Sequence, residues 1–264
     1  MRLADYLARI GYRGPIAQDS ATLRALHRAH LLAIPYENLD IHLGRRLTLD
    51  EEQIFDKIVR QRRGGWCFEM NGLFAWALRA AGFSVRLLSG TVSRGQPGVV
   101  EGNHLILLVE LERPYLVDVG FGNGFLEPIP LEPGEHVQNG WVYALQREGD
   151  RWIFHNHQHG GPGFDFTLEP RALADFAGQC HTLQTSPESG FVRVAVCHRF
   201  TPERILSLRG AVLANVTPAD VTKRVIADAD DYRRVLREQF DLEIDVEALW
   251  PKVWESHLAW SGAT

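Results

Sequence analysis

The hydrophobic residues of this 264-residue chain change their spacing near Phe83, and that change limits the architectures open to it. Before it, Leu3, Tyr6, Leu7 and Ile10 recur at helical spacing, and Leu23, Leu26 and Leu31 follow Asp19, a side chain suited to cap a helix. Thr48 and Glu51 are spaced as a capping box ahead of Ile54, Phe55, Ile58 and Val59. Residues 1–83 therefore read as a helical domain. Beyond Phe83 come short β-rich runs at 85–88, 105–111, 115–119, 141–145 and 152–154, separated by glycine, proline and asparagine clusters, which predict an antiparallel sheet or barrel over 84–189. The remainder, 190–264, is mixed. Residues 191–200 read as a strand, Thr201-Pro202-Glu203 and Thr217-Pro218-Ala219-Asp220 as helix starts, and 232–240 as a helix. The whole reads as an α+β chain without internal repeats.

Charge and cysteine usage narrow the function. With 28 basic and 33 acidic residues the formal net charge is −5, which argues against nucleic acid or anionic lipid as a partner. Cys67, Cys180 and Cys197 are too few and too scattered for a disulfide framework, so a reducing compartment fits. Charges interrupt every apolar run near the N-terminus, and neither a signal peptide nor a spanning helix is expected there. A cytoplasmic protein is the expectation.

The most informative stretch is Arg63-Gly64-Gly65-Trp66-Cys67-Phe68-Glu69-Met70-Asn71, followed by Leu73, Phe74, Ala77, Leu78 and Ala81 at helical spacing. Paired glycines ahead of the periodic run place Cys67 at a helix N-terminus, where unpaired N–H groups favour a thiolate. The alternative is a buried cysteine packing as a small hydrophobe. A thiolate nucleophile needs a base. His104 opens the apolar run Leu105-Ile106-Leu107-Leu108-Val109, and Asp118 closes Tyr115-Leu116-Val117 after a turn signal at Glu112-Arg113-Pro114. In an antiparallel hairpin with an odd-length loop, opposed residues have an even summed number, so His104 and Asp118 would share a face. The aspartate could then orient the imidazole toward Cys67. Gly120-Phe121-Gly122-Asn123-Gly124 follows at once, and such a turn brings backbone N–H groups close to a phosphate or diphosphate.

These segments, together with Ile34-Pro35-Tyr36-Glu37-Asn38-Leu39, Val117-Asp118-Val119-Gly120-Phe121-Gly122 and Ser186-Pro187-Glu188-Ser189, resemble in order and spacing the arylamine N-acetyltransferase family. The resemblance implies a helical first domain, an antiparallel β-barrel second domain and an α/β lid, with a triad arranged as in cysteine proteases. It implies Cys67 as nucleophile, His104 as base and Asp118 as orienter. Tyr36, Trp66, Phe68 and Phe121 are the candidates for lining the substrate pocket, and Gly120, Gly122, Asn123 and Gly124 for contacting coenzyme A. Acetyl-CoA is then the co-substrate, with no metal, and the acceptor an aromatic amine, hydrazine or hydroxylamine, in a role suited to xenobiotic metabolism. A monomer or homodimer is expected. Two positions depart from the family pattern: Trp66 stands where tyrosine is common, and Tyr36 where phenylalanine is frequent.

Three further readings complete the sequence. His155, His157 and His159 alternate, so on one strand they would share a face and offer the best metal site; the stretch reads equally as a loop. Arg63 is the expected buried partner of Glu37, and Trp250, Trp254 and Trp260 are expected to pack in the lid or core. A cysteine hydrolase or peptidase could use the same triad with water as acceptor, and acetyl-CoA turnover that depends on an added arylamine separates the two.

Overall fold

The computed structural model describes residues 1–96 and 98–261. Helix α1 (Leu3–Arg9) and α2 (Ser20–Ala33) lead into a short strand β1 (Tyr36–Glu37), then α3 (Leu39–His42), α4 (Glu51–Phe55) and α5 (Cys67–Ala80). A π-helical turn, Asp56–Arg60, extends α4. Asp19 does cap α2, accepting a hydrogen bond from Thr22 N–H at 2.8 Å. The cap of α4 is Asp50, which accepts from Gln53 N–H at 2.9 Å, and not Thr48, whose hydroxyl instead accepts from Asp50 N–H at 3.0 Å. The expected capping box is displaced because the carboxylate nearer the helix takes the free N–H.

An eight-stranded antiparallel sheet follows, built from β2 (Ser84–Val92), β3 (His104–Glu110), β4 (Pro114–Val117), β5 (Ile129–Pro130), β6 (Gly134–Gln138), β7 (Trp141–Glu148), β8 (Arg151–His155) and β9 (Phe164–Arg171). Its order is β5-β4-β3-β2-β9-β8-β7-β6, so the two edge strands are neighbours in sequence, joined by residues 131–133. A twisted sheet whose edges are tied this closely must curl back on itself, which gives a nearly closed barrel. Leu105, Ile106, Leu107, Leu108 and Val109 on β3 are all 0% exposed, because one face fills the barrel and the other meets α5.

After α6 (Ala177–Thr185) and α7 (Gly190–Arg193), strands β10 (Val196–Phe200), β11 (Ile205–Arg209), β12 (Val212–Val216) and β13 (Val221–Val225) form a second antiparallel sheet with β1 at its edge. Helices α8 (Ala229–Phe240) and α9 (Val246–Ser261) pack on it through Tyr232, Leu236, Phe240 and Leu249, with Trp250 and Trp254 half-buried against this cluster. Residues 191–200 are thus a helical turn and then a strand, the turn being capped by Ser189. Both threonine-proline segments are hairpin turns rather than helix starts. Thr201 Oγ1 accepts from Arg204 N–H and Thr217 Oγ1 from Asp220 N–H, satisfying locally the groups a helix would have used. Among the described residues no helix is long and apolar enough to cross a membrane.

Burial holds four histidines neutral: His27, His157 and His198 are lowered to about 4 and His30 lies well below its ordinary value. In the unfolded chain each takes a proton near pH 6.5, so unfolding binds protons as the pH falls below that. Their contribution is complete above pH 6.5 and declines as the pH drops toward 4, by about 1.4 kcal/mol per pH unit for each histidine. Thermal unfolding should therefore show a steep fall in Tm between pH 6.5 and 4. A flat Tm across that window would mean that these imidazoles titrate as if exposed.

Candidate active site

The N-terminus of α5 is set by backbone close approach. A Cβ on Gly64 would lie 2.1 Å from Pro35 O, so only glycine lets this strand-like segment run against β1. Glu37 N–H bonds Gly65 O at 2.9 Å, and the pairing brings Tyr36 alongside the start of α5. Trp66 N–H donates to the Glu69 carboxylate at 3.3 Å, which also receives Lys57 Nζ at 2.9 Å. Lys57 reaches Asp40 at 3.0 Å, and Arg63 bonds both Glu37 at 2.7 Å and Asp40 at 3.0 Å, so the expected Glu37 partner is part of a buried ionic cluster. Burial opposes the charge on Lys57, but Glu69, Glu37 and Asp40 together hold the ammonium above its ordinary range. Removing one member would leave an uncompensated buried charge.

Cys67, His104 and Asp118 are all buried, at 2%, 3% and 2% exposure, and the Asp118 carboxylate and the Leu105 N–H, next to His104, both act on the Cys67 sulfur. His104 Nε2 lies 2.7 Å from Asp118 Oδ2. The loop of β3–β4 is residues 111–113, of odd length as the parity argument requires. Leu107 opposes Val117, so continuing the register would set His104 against Gly120; Asp118 meets His104 diagonally, on the same face, rather than head on. The organiser is Asn71, four residues after Cys67 and so on the same face of α5. Its Nδ2 donates to Leu105 O at 2.6 Å and to Asp118 Oδ1 at 2.8 Å, and its Oδ1 accepts from Val119 N–H at 2.9 Å. Asp118 Oδ1 also accepts from Gly120 N–H at 2.8 Å. Because a carboxylate only accepts, His104 Nε2 carries the proton and Nδ1 is left as the basic nitrogen.

The thiol does not sit in the thiolate-favouring environment that its helix position suggested. Burial pushes Cys67 up, and the nearby Asp118 carboxylate adds to the rise; only the N–H groups of Phe68 and Leu105, which face the sulfur, pull the other way. A helix terminus stabilises charge by fractions of a kcal/mol, less than full desolvation takes away. Ionisation at Cys67 therefore needs a proton acceptor at hand, and Leu105, whose N–H meets the sulfur, is the residue after His104.

The expected pocket residues divide. Tyr36, 8% exposed, opposes His198 across the β1–β10 pairing with ring centroids 5.8 Å apart. Its phenol is pushed up by burial first and then by Cys67. Phe121 stands edge-on to His104 at 5.4 Å. Trp66 and Phe68 pack among core aromatics. Both are 0% exposed and pack on each other at 5.1 Å, Trp66 on Phe191 at 5.3 Å and Phe68 on Phe176 at 5.6 Å. Phe164, 5.2 Å from His104 by ring centroids, and His198 complete the wall, and neither carries a local sequence signal. Phe164 also lines an open cavity of about 340 Å³ with Thr91, Arg94 and Arg151.

The glycine turn serves close packing. A Cβ on Gly120 would meet Cys67 Cα at 2.8 Å, and Gly122, at φ +85°, lies under Tyr36 and His198. Asn123 O accepts from His157 Nε2 at 3.0 Å and Gly124 O from Tyr143 at 3.1 Å, so these two carbonyls bond within the chain. The histidine run is split: β8 ends at His155, which is exposed, whereas His157 is buried against Trp141 at 4.2 Å. Among the described residues no group of three or more His, Cys, Asp or Glu is placed to hold a metal ion.

Comparison with known proteins gives a consistent picture. Residues 19–249 match the family model described as N-acetyltransferase. The arylamine N-acetyltransferase of Escherichia coli K12 is 36% identical over 252 residues, covering 92% of this chain and 89% of that protein. The solved arylamine N-acetyltransferase from Salmonella typhimurium superposes with a TM-score of 0.88 at 30% identity, covering 96% of this chain and 98% of that one. The arylamine N-acetyltransferase of Mycobacterium marinum in complex with CoA also superposes with a TM-score of 0.88, at 29% identity and with the same coverage, 96% and 98%.

Proposed function

The chain belongs to the arylamine N-acetyltransferase family and is a transferase, and from that premise we propose that it moves an acetyl group from acetyl-CoA through a thioester on Cys67 to the nitrogen of an arylamine, arylhydrazine or arylhydroxylamine. The observation that carries this reading is the Asn71 bridge, which ties the helix beginning at Cys67 to the Asp118 that orients His104.

In the first half-reaction His104 Nδ1 takes the thiol proton as the sulfur attacks the thioester carbonyl, and Asp118 stabilises the imidazolium. Collapse breaks the bond to the CoA sulfur, which leaves with the proton. In the second half the amine attacks the acetyl-cysteine and His104 takes the amine proton as the C–N bond forms. The C–S bond then breaks and Cys67 returns to the thiol. The aromatic wall of Tyr36, Phe121 and Phe164 favours an arylamine over water at the acyl carbon. Coenzyme A as donor product is supported by the Mycobacterium marinum relative, solved in complex with CoA.

Incubation with acetyl-CoA and no amine should release a burst of about one equivalent of CoA per site and leave one acetyl group on the peptide carrying Cys67, since a double displacement discharges the donor first. Adding an arylamine should clear it. An unmodified Cys67 with no CoA released sinks the transferase reading, and steady CoA release without amine favours a hydrolase.

Gly120→Ala provides a geometric check on the same step. The added methyl would lie 2.7 Å from Asn71 Nδ2 and 2.8 Å from both Cys67 Cα and Cys67 O, so the loop has to move away from α5 and take Asp118 with it. A displacement of about 1 Å at a reacting constellation costs on the order of 100-fold. The CoA burst rate should fall by that amount; an unchanged rate would mean that the contact does not set the triad.

A further inference from the structure

The loop from Asp118 to Leu126 carries the aspartate at one end and Phe121 in its middle, yet Gly120, Gly122 and Gly124 give it few side chains with which to hold its own shape. Both ends are held by one residue of a different layer. His27, on α2, is 0% exposed; its Nδ1 lies 2.9 Å from Leu126 O, and Asp118 N–H donates to its Nε2 at 3.4 Å. A carbonyl can only accept and a peptide N–H can only donate, so the imidazole is neutral, with its proton on Nδ1 and a bare Nε2. The ring is fixed in plane by stacking on Phe125 at 5.7 Å and 9° and by Phe74 edge-on at 5.8 Å.

We infer that His27 is a positioning residue for the reaction: by clamping the backbone at Asp118 and at Leu126 it closes the glycine-rich loop and keeps the Asp118 carboxylate aimed at His104 and Phe121 beside it. The inference rests on the proposed roles of Cys67, His104 and Asp118. Neither nitrogen of His27 touches the reacting atoms, so its effect passes through Asp118. Burial holds the ring neutral, lowered to about 4, although Leu126 O and the Asp118 charge pull the other way. A second proton on Nε2 would point at the Asp118 N–H and open that end of the clamp.

Two variants and one measurement on the unaltered protein test this. His27→Phe keeps an aromatic ring between Phe74 and Phe125 but removes both polar contacts, whereas His27→Gln offers one acceptor and one donor on a single side chain. Acetylation of Cys67 by acetyl-CoA should slow by about 10- to 100-fold in His27→Phe, the cost of a misplaced catalytic group, and recover in part in His27→Gln. The pH profile of Cys67 alkylation by iodoacetamide should move to higher pH in His27→Phe, because a poorly held Asp118 stabilises the imidazolium less. This alkylation needs no acetyl transfer, so it separates failure of the clamp from failure of the transferase reading. In the wild-type protein ¹⁵N NMR should show His27 with a protonated Nδ1 and a bare Nε2 that does not titrate from pH 8 to about 5. A protonated Nε2, a midpoint near 6.5, or a folded His27→Phe with wild-type acetylation rate and alkylation profile overturns the inference. Should His27→Phe fail to fold, the tautomer decides.

Discussion

Cys67→Ala should reduce arylamine-dependent turnover of acetyl-CoA by at least about 10⁴-fold while the protein stays folded, because the proposed thioester forms on this sulfur and the loss of a nucleophile costs orders of magnitude. The comparison with Cys180→Ala and Cys197→Ala makes this more than a test of packing. All three cysteines are buried, at 2%, 4% and 0% exposure, and burial pushes all three thiols up. Exposure and thiol acidity therefore do not rank them; position does. Only Cys67 opens a helix tied by Asn71 to the His104–Asp118 pair. If Cys67→Ala keeps more than about a hundredth of wild-type turnover, the barrier has risen by less than roughly 3 kcal/mol and the sulfur is not the nucleophile. If Cys180→Ala loses as much as Cys67→Ala, packing explains both.

Local chemistry made part of the site legible in the sequence. Paired glycines before a helical period placed Cys67 at a helix start, and the parity of an odd-looped hairpin put His104 and Asp118 on one face. Asn71 was readable on the same terms, four residues after Cys67, but an amide on a helix carries no sign of its partner until β3 and the Asp118 turn are in place. His27, Phe164 and His198 reach the site through contacts between elements far apart in sequence, which no local pattern encodes. Where two environments compete, the sequence pattern named one and the fold decided. The helix start favours a thiolate at Cys67, and burial outweighs it. Trp66 and Phe68 neighbour the nucleophile in sequence, but their rings pack among core aromatics. Thr201-Pro202 and Thr217-Pro218 satisfy the rule for a helix start and for a hairpin turn alike, and in the fold the segment after each pairs back on the strand before it, Ile205–Arg209 on Val196–Phe200 and Val221–Val225 on Val212–Val216.

Asp118→Asn should leave the protein folded yet slow acetylation of Cys67 by about 10⁴-fold, the scale of the same exchange in a serine protease triad. The reason lies in how many donors the carboxylate serves. Oδ1 accepts from Asn71 Nδ2 and from Gly120 N–H, and Oδ2 accepts from His104 Nε2. An asparagine has one oxygen for three donors. With that oxygen toward Asn71 and Gly120, its NH₂ points at His104 Nε2. With the oxygen toward His104, its NH₂ faces two buried donors and leaves them unsatisfied, at about 1–3 kcal/mol each. The first orientation wins, and it makes Nε2 an acceptor and drives the imidazole proton onto Nδ1. That is the nitrogen that must take the Cys67 proton, so the variant carries the wrong tautomer as well as losing the charge that stabilises the imidazolium. Single-turnover release of CoA measures the rate, and ¹⁵N NMR of His104 should show the proton moved from Nε2 to Nδ1. A folded Asp118→Asn variant with near-normal acetylation and an unchanged His104 tautomer would remove Asp118 from the mechanism, and with it the role assigned to Asn71 as the link between the helix that begins at the sulfur and the group that orients its base.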